Sequence, residues 1–190
     1  MKRIVNIIIL FLIFSTNSSC QVTATLPLNS YDYPNGAYLK DINNQLPFYV
    51  GTWEGIQNNK QYTFQFTVFN QQMIDFGNGH YEYLDALVAK FKVVDLSSSE
   101  VLYDNLSAVN YDDYEIFLGS IQLGTFFCLD KNNCNNLAKF KLYKVTGTTN
   151  QLNYNDFRLV EFGSIDECPY TNQEDIPIFL PTGDFILTKQ

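Results

Sequence analysis

Apolar and polar residues alternate along most of the chain after residue 48, a period of two that is typical of strands with one buried face. The clearest run is Gln61–Val68, in which Tyr, Phe, Phe and Val at even positions alternate with polar residues. In the longer run Tyr81–Val94, the residues in phase are Tyr83, Leu87, Ala89, Phe91 and Val93. Gly77-Asn78-Gly79 lies between the two runs, and such a sequence favours a tight turn. The pattern therefore predicts a long antiparallel hairpin.

More strand-like segments follow along the chain. They are Val101–Leu106, Tyr114–Leu123, Thr125–Leu129, Leu137–Val145, Gln151–Tyr154, Phe157–Phe162 and Phe185–Thr188. Most of the asparagine pairs lie between these segments, where they favour turns. A set of about eight to ten short antiparallel strands is typical of a β-barrel or a β-sandwich. We therefore expect a mainly β domain with one of these two architectures.

Two stretches before the strands have a different pattern. Leu39, Ile42 and Leu46 recur at helical spacing, and Pro47 would end a short helix there because the residue before proline avoids the helical region. Residues 20–37 contain two prolines and Asn-Gly and show little periodicity, which favours a tether. We expect a single β domain over residues 38–190.

The first 19 residues have the features of a signal peptide. Lys2 and Arg3 precede an apolar run from Ile4 to Phe14. About 11 residues are too few to cross roughly 30 Å of hydrocarbon as a helix, but they suit the core of an export signal. We expect residues 1–19 to be removed and the remainder to fold outside the cytoplasm.

Small residues, Ser18 and Ser19, stand directly before Cys20. This arrangement resembles the lipobox of bacterial lipoproteins, although Asn17 occupies a position where that pattern prefers an aliphatic residue. The resemblance implies acylation of Cys20 and a membrane partner reached through acyl chains, of which stable anchoring needs at least two. The residue after Cys20 is Gln21 rather than Asp. By resemblance to the sorting patterns of lipoproteins, this favours the outer membrane, with the domain facing the periplasm. The alternative is ordinary cleavage that leaves Cys20 a plain thiol.

The charge balance disfavours nucleic acid as a partner. The formal net charge is −8, and loss of the two positive charges of Lys2 and Arg3 would leave about −10. Such a surface repels phosphate groups and releases no counterions on contact with them. An acidic surface is also the ordinary way in which a secreted domain stays soluble.

Three cysteines remain after Cys20. Cys128 and Cys134 enclose five residues, and at a hairpin tip they would lie close enough for a disulfide. We expect this pair to be bonded, which would leave Cys168 odd and buried; the alternative is a bond between Cys168 and one of the two. The absence of a CxxC motif argues against a redox site and a zinc ribbon.

Motifs that carry chemistry are absent. His80 is the one histidine, and no GxSxG, phosphate-binding loop or dinucleotide-binding motif accompanies it. Asp112, Asp113 and Glu115 cluster before a strand, where solvated turn positions are the simpler interpretation. We expect no enzyme activity, catalytic residue, metal ion or cofactor.

Two ends of the chain carry a family resemblance. An uncharacterised family of short bacterial lipoproteins is similar to this chain in three segments, Leu39–Leu46, Tyr49–Gly55 and Pro181–Gln190. That family is a domain of unknown function, so the resemblance implies location and fold rather than chemistry.

The segment Gly51-Thr52-Trp53 is similar, more distantly, to the start of lipocalins and fatty-acid-binding proteins. In those barrels the tryptophan closes one end, and a basic residue stacks over it. The resemblance makes Arg158 the candidate for that stacking residue, with Lys189 as the second choice. It also implies a small apolar ligand inside a hollow barrel. The alternative is a filled barrel in a structural or interaction protein.

Overall fold

The alternating sequence forms eleven β-strands in this computed structural model, which describes residues 22–131, 133–160 and 168–190. The strands are β1 Thr25–Pro27, β2 Tyr38–Lys40, β3 Gly51–Gln57, β4 Lys60–Gly77, β5 His80–Asp95, β6 Val101–Asp104, β7 Ile116–Ser120, β8 Thr125–Asp130, β9 Asn136–Lys144, β10 Gln151–Leu159 and β11 Phe185–Lys189. Short 3-10 turns occupy Leu46–Phe48, Tyr111–Asp113 and Gln173–Asp175. The predicted signal peptide and Cys20 lie outside the described residues.

Eight of the strands close into an antiparallel barrel. Their order is β5, β4, β3, β11, β10, β9, β8 and β7, and β7 pairs again with β5. Closure rests on the register of Val88 with Phe117 and of Ala89 with Ile116. The expected mainly β barrel is therefore confirmed, and the sandwich alternative is not observed.

The predicted hairpin is confirmed in β4 and β5. Asn78 and Gly79 both have positive φ angles, 54° and 79°, as a two-residue turn of this kind requires. The β3 strand pairs with β4 only as far as Gly51 with Phe66, so the hairpin continues past the barrel. There β2 adds in parallel to β5, and β1 adds in parallel to β2.

The expected helix after residue 38 is wrong. Leu39 belongs to β2, Ile42 is 56% exposed, and Leu46 begins a single 3-10 turn. The carboxylate of Asp41 accepts the backbone N–H groups of Gln45 and Leu46, which fixes a turn at this point. No α-helix occurs in the described ranges, and within them no helix is long and apolar enough to cross a bilayer.

The boundary of the predicted tether at residue 37 is also too late. The N–H of Thr23 donates to the carbonyl of Gly36, and the N–H of Tyr38 donates to that of Ala24. Ala37 is completely buried. The folded domain therefore begins by Thr23, and the segment up to residue 37 lies against the hairpin.

Aromatic side chains fill the barrel. Phe66 on β4 and Phe126 on β8, strands three places apart by the shorter way around the barrel, contact each other with ring centroids 5.7 Å apart. Phe126 also stacks on Phe140, and Phe140 on Tyr154. Because rings from strands that are not neighbours in the sheet meet across the barrel, side chains occupy the interior.

The expected Cys128–Cys134 disulfide is wrong, because Cys134 is bonded to Cys168. The register places Ala138 opposite Cys128 in the β8–β9 ladder. The Cys128 side chain is free and 4% exposed, in the core, while Cys134 lies in the turn outside the ladder. The Cα atoms of the bonded pair are 5.2 Å apart.

The disulfide fixes the start of a segment, residues 168–184, that we call the C-terminal strap. The strap covers one end of the barrel with the buried side chains of Ile176 and Leu180. The Tyr154 hydroxyl donates to the carbonyl of Pro181 at 2.8 Å, and Phe179 stacks on Tyr103.

Candidate functional site

The end of the barrel opposite the strap is closed around Trp53. Its side chain is fully buried, and its indole N–H donates to the carbonyl of Tyr49 at 2.6 Å. The ammonium of Lys189 lies 5.2 Å from the Trp53 ring and donates to the carbonyl of Phe48. Gly51, at φ 121°, leaves room for the Lys189 side chain, since an added Cβ would lie 3.1 Å from it.

The prediction that Arg158 stacks over Trp53 is therefore wrong. Arg158 is exposed, and its guanidinium binds the carboxylate of Asp156 through two nitrogens. The reason is register: Lys189 pairs directly with Trp53 in the β3–β11 ladder, whereas Arg158 pairs with Lys139 on β9. Trp53, Gly51 and Lys189 together seal the barrel rather than form a ligand site.

A cleft of about 780 Å³ lies beside this end, and we call it the seam cleft. Its walls are residues 28–33, Leu39, the far part of the hairpin, Tyr111 and the end of β7 with its following turn. Its apolar lining includes Leu39, Ile74, Phe76, Leu84, Ala86, Leu87, Val88, Phe117, Leu118 and Ile121. None of the fully buried core aromatics lines it.

The cleft exists because β5 changes partner along its length. The β2 strand pairs with β5 through Leu84, and β7 pairs with β5 from Val88 onward. Residues 85–87 lie between these two ladders and all line the cleft. The far part of the hairpin and the β7–β8 turn diverge from this seam and form its two sides.

Asp85 holds one side of the seam together. It is 5% exposed, and one of its oxygens accepts the Tyr38 hydroxyl at 2.5 Å and the Gln71 N–H at 3.1 Å. The other oxygen accepts the Asp41 N–H at 2.9 Å. Gln71, with φ 52°, lies at a bulge in β4 that takes its amide out of the regular ladder. Asp85 therefore fixes the N-terminal segment and the bulge against each other.

Glu82 is the second buried acid of the cleft, at 7% exposure. Its carboxylate accepts a hydrogen bond from the Tyr33 hydroxyl. Burial, and then this bond and the charge of Glu82, raise the pKa of Tyr33 to about 12. Burial raises the pKa of Tyr111 as well, and the charges of Asp112 and Glu82 add to that rise. The field of Glu82 thus reaches two walls of the cleft.

The cleft has a uniform sign of charge. Asp32, Glu82 and Asp85 line it, and no lysine, arginine or histidine is among its lining residues. Apolar walls of low dielectric strengthen such a field. Across the described residues, no group of three or more His, Cys, Asp and Glu side chains is arranged to hold a metal ion.

Glu115, which the sequence places among solvated turn residues, is instead 4% exposed. It accepts a hydrogen bond from the Tyr103 hydroxyl, and burial raises its pKa. Asp112 and Asp113 are exposed, as expected. Burial also raises the pKa of Cys128 nearby, with contributions from Glu115 and Asp130, so this thiol is inert.

The sequence prediction missed the seam cleft. One signal was available: Glu82 and Asp85 interrupt the apolar part of the strand run Tyr81–Val94, and acids inside such a run are expensive to bury. Their partners, Tyr33 and Tyr38, lie more than 40 positions away in sequence, and no local pattern connects them.

A family model described as "Family of unknown function (DUF6705)" matches residues 1–190, so the chain belongs to this family. No curated protein matches the chain. No solved structure matches it either.

Proposed function

We propose that this member of the DUF6705 family is an exported, lipid-anchored and non-enzymatic binding protein, in which the filled barrel is a scaffold and the seam cleft is the ligand site. The observation that carries the proposal is the location of the cleft outside the aromatic core. Its volume of about 780 Å³ falls within the range of roughly 300–1,000 Å³ typical of small-molecule sites.

Because the barrel interior is filled, the expected apolar ligand is assigned to the cleft instead of the barrel. A ligand between Phe66 and Phe126 would have to separate two rings that contact each other across the barrel. The seam cleft offers apolar walls without such displacement. Its lining also combines many apolar side chains with a few polar groups, which is the usual composition of a ligand pocket.

The proposed location rests on the leader and Cys20. The Cys134–Cys168 disulfide supports it, because disulfides persist in oxidising compartments such as the periplasm. An acylated Cys20 would hold the domain at the outer membrane, facing the periplasm, with the folded part beginning by Thr23.

The groups in the cleft favour binding over catalysis. Asp85 already accepts three hydrogen bonds, and Glu82 accepts one from Tyr33. The lining residues include no histidine, cysteine or lysine that could pair with these acids as a base or nucleophile. The acids are thus arranged as fixed charges.

Binding of the neutral dye Nile red, followed by fluorescence, tests the proposal. Phe76→Ser removes an apolar wall of the cleft from a residue that is 64% exposed, so the fold should tolerate it. Ile186→Ser is the matched control, because Ile186 is 43% exposed on the barrel wall. We expect Phe76→Ser to weaken dye binding several-fold and Ile186→Ser to leave it unchanged. Equal binding by both variants would favour a purely structural or protein-interaction role.

A further inference from the structure

We infer that the ligand of the seam cleft is an organic cation, an amine or a quaternary ammonium group attached to an apolar body. This inference rests on the proposed function, since it names the ligand class of the same site. It is carried by three features of the cleft: acids of one sign, the absence of basic side chains from its lining, and aromatic rings beside apolar walls.

The charge argument concerns the head group. The carboxylates of Glu82 and Asp85 are held in place by hydrogen bonds and are almost fully buried, so the cleft carries their negative field without reorganisation. Asp32 adds an exposed carboxylate at the rim. These charges would repel an anionic head group, which would find no basic side chain in the lining, whereas a cation gains attraction in a site partly walled from water.

The aromatic lining suits the same head group. Tyr31, Tyr33, Phe76, Tyr111 and Phe117 line the cleft. The faces of such rings attract alkylated ammonium groups, which are weakly hydrated and cost little to remove from water. Carboxylates together with aromatic faces are therefore a recognition set for organic amines.

The apolar lining accounts for the body of the ligand. The aliphatic residues on β5 and the β7–β8 turn give the cleft a hydrophobic wall, so a bare inorganic cation would leave most of it unused. A chain or ring attached to the ammonium would bury against this wall, and each buried methylene contributes about 0.8 kcal/mol. We therefore expect affinity to rise with both charge and apolar length.

Three probes of equal chain length test the inference on the mature protein by titration calorimetry: octyltrimethylammonium, octanol and octanoate. We expect the ammonium to bind about tenfold or more tightly than octanol, and octanoate to bind most weakly. Added salt should weaken only the binding of the ammonium, because charge attraction is screened and apolar contact is not.

Two variants assign the effect to the cleft acids. Glu82→Gln keeps an acceptor for the Tyr33 hydroxyl and removes the charge, and Asp32→Asn suits the positive φ of 58° at that position. Each should bring the affinity for the ammonium towards that of octanol without changing octanol binding. Glu100→Gln, at an exposed position in the connection between β5 and β6, is the matched control and should change neither.

The outcomes separate this inference from the proposed function. If the ammonium and octanol bind equally and Glu82→Gln changes nothing, the preference for cations is wrong although the cleft still binds ligands. If octanoate binds most tightly, the preference is likewise wrong. If no octyl probe binds and Phe76→Ser leaves Nile red binding unchanged, the cleft is not a ligand site and the proposed function itself fails.

Discussion

Asp85 shows how one buried charge can hold the walls of a cleft together. Its carboxylate accepts hydrogen bonds from a side-chain hydroxyl and two backbone amides, contributed by two separate parts of the chain, residues 38–41 and the bulge in β4. A buried carboxylate is tolerated only when it is satisfied in this way. Removal of one donor therefore costs more than one ordinary hydrogen bond, because the remaining charge stays buried.

The tyrosines paired with the cleft acids predict an alkaline limit to stability. The pKa values of Tyr33 and Tyr38 rise from 10.0 to about 12 on folding, so the folded state holds both phenolic protons more tightly. Their contribution is complete below pH 10 and is lost as the pH rises through about 12. We expect the urea midpoint of unfolding to fall over this interval.

Tyr38→Phe tests this linkage. It should lower stability at pH 8 by about 1–2 kcal/mol, since Asp85 loses a donor, and should flatten the decline between pH 10 and 12. Tyr31→Phe, at a residue that is 83% exposed, serves as the control with unchanged stability at pH 8. A Tyr38→Phe variant with the same decline as the native protein would contradict the assignment.

The stacking residue over Trp53 illustrates what a residue-level resemblance can predict. The position of the tryptophan at a closed barrel end followed from Gly51-Thr52-Trp53. The choice between Arg158 and Lys189 required the register of the last strand, which places Lys189 beside Trp53. Arg158 was favoured because it is the one arginine after the predicted leader and its guanidinium stacks well, but ladder geometry decides which cation can reach the ring.

Among the elements, strands were predictable wherever one face is buried. In β4, the alternating residues Tyr62, Phe64 and Phe66 all point into the core. The predicted helix was wrong because its three apolar positions serve different purposes. Leu39 packs from a strand and Leu46 from a turn, while Ile42 is exposed, so the spacing reflected no common face.

The disulfide, which joins two elements, has an effect that can be measured. Cys134 and Cys168 are 34 positions apart, and closing a loop of that size stabilises by about 3–4 kcal/mol in the chain-entropy model. We expect Cys168→Ser to lose a stability of this order in urea unfolding. Reductant should destabilise the native protein similarly and leave Cys168→Ser unchanged. Insensitivity of the native protein to reductant would contradict the pairing.

For the whole molecule, the filled interior predicts a large cost for removing a central ring. Phe126 is fully buried and contacts Tyr49, Phe66 and Phe140. Phe126→Ala should cost about 3–5 kcal/mol in urea unfolding because of the lost contacts and the cavity left behind. Phe76→Ala, at an exposed ring, should cost about 0.5 kcal/mol or less. A cost below about 1.5 kcal/mol for Phe126→Ala would indicate a hollow barrel.

The barrel could be predicted from strand number and spacing, whereas the seam cleft could not. Closure follows from the need to bury one face of many short antiparallel strands. The cleft depends on where β5 exchanges β2 for β7, which is set by pairings between segments more than 25 residues apart in sequence. Such pairings leave no periodic signal in either segment.

The position of the folded domain relative to the predicted anchor gives the last prediction. Residues from Thr23 onward pack against the hairpin that also forms the seam cleft. If Cys20 is acylated, only a few residues separate the lipid from this packed segment. The cleft end of the barrel would therefore lie near the membrane surface, where amphiphilic cations partition.

We expect Cys20→Ser to abolish fatty-acid labelling and to release the protein from membranes in fractionation. Cys128→Ser, which keeps Cys20, should stay with the membrane fraction. Membrane association of Cys20→Ser equal to that of the native protein would show that the attachment does not depend on Cys20.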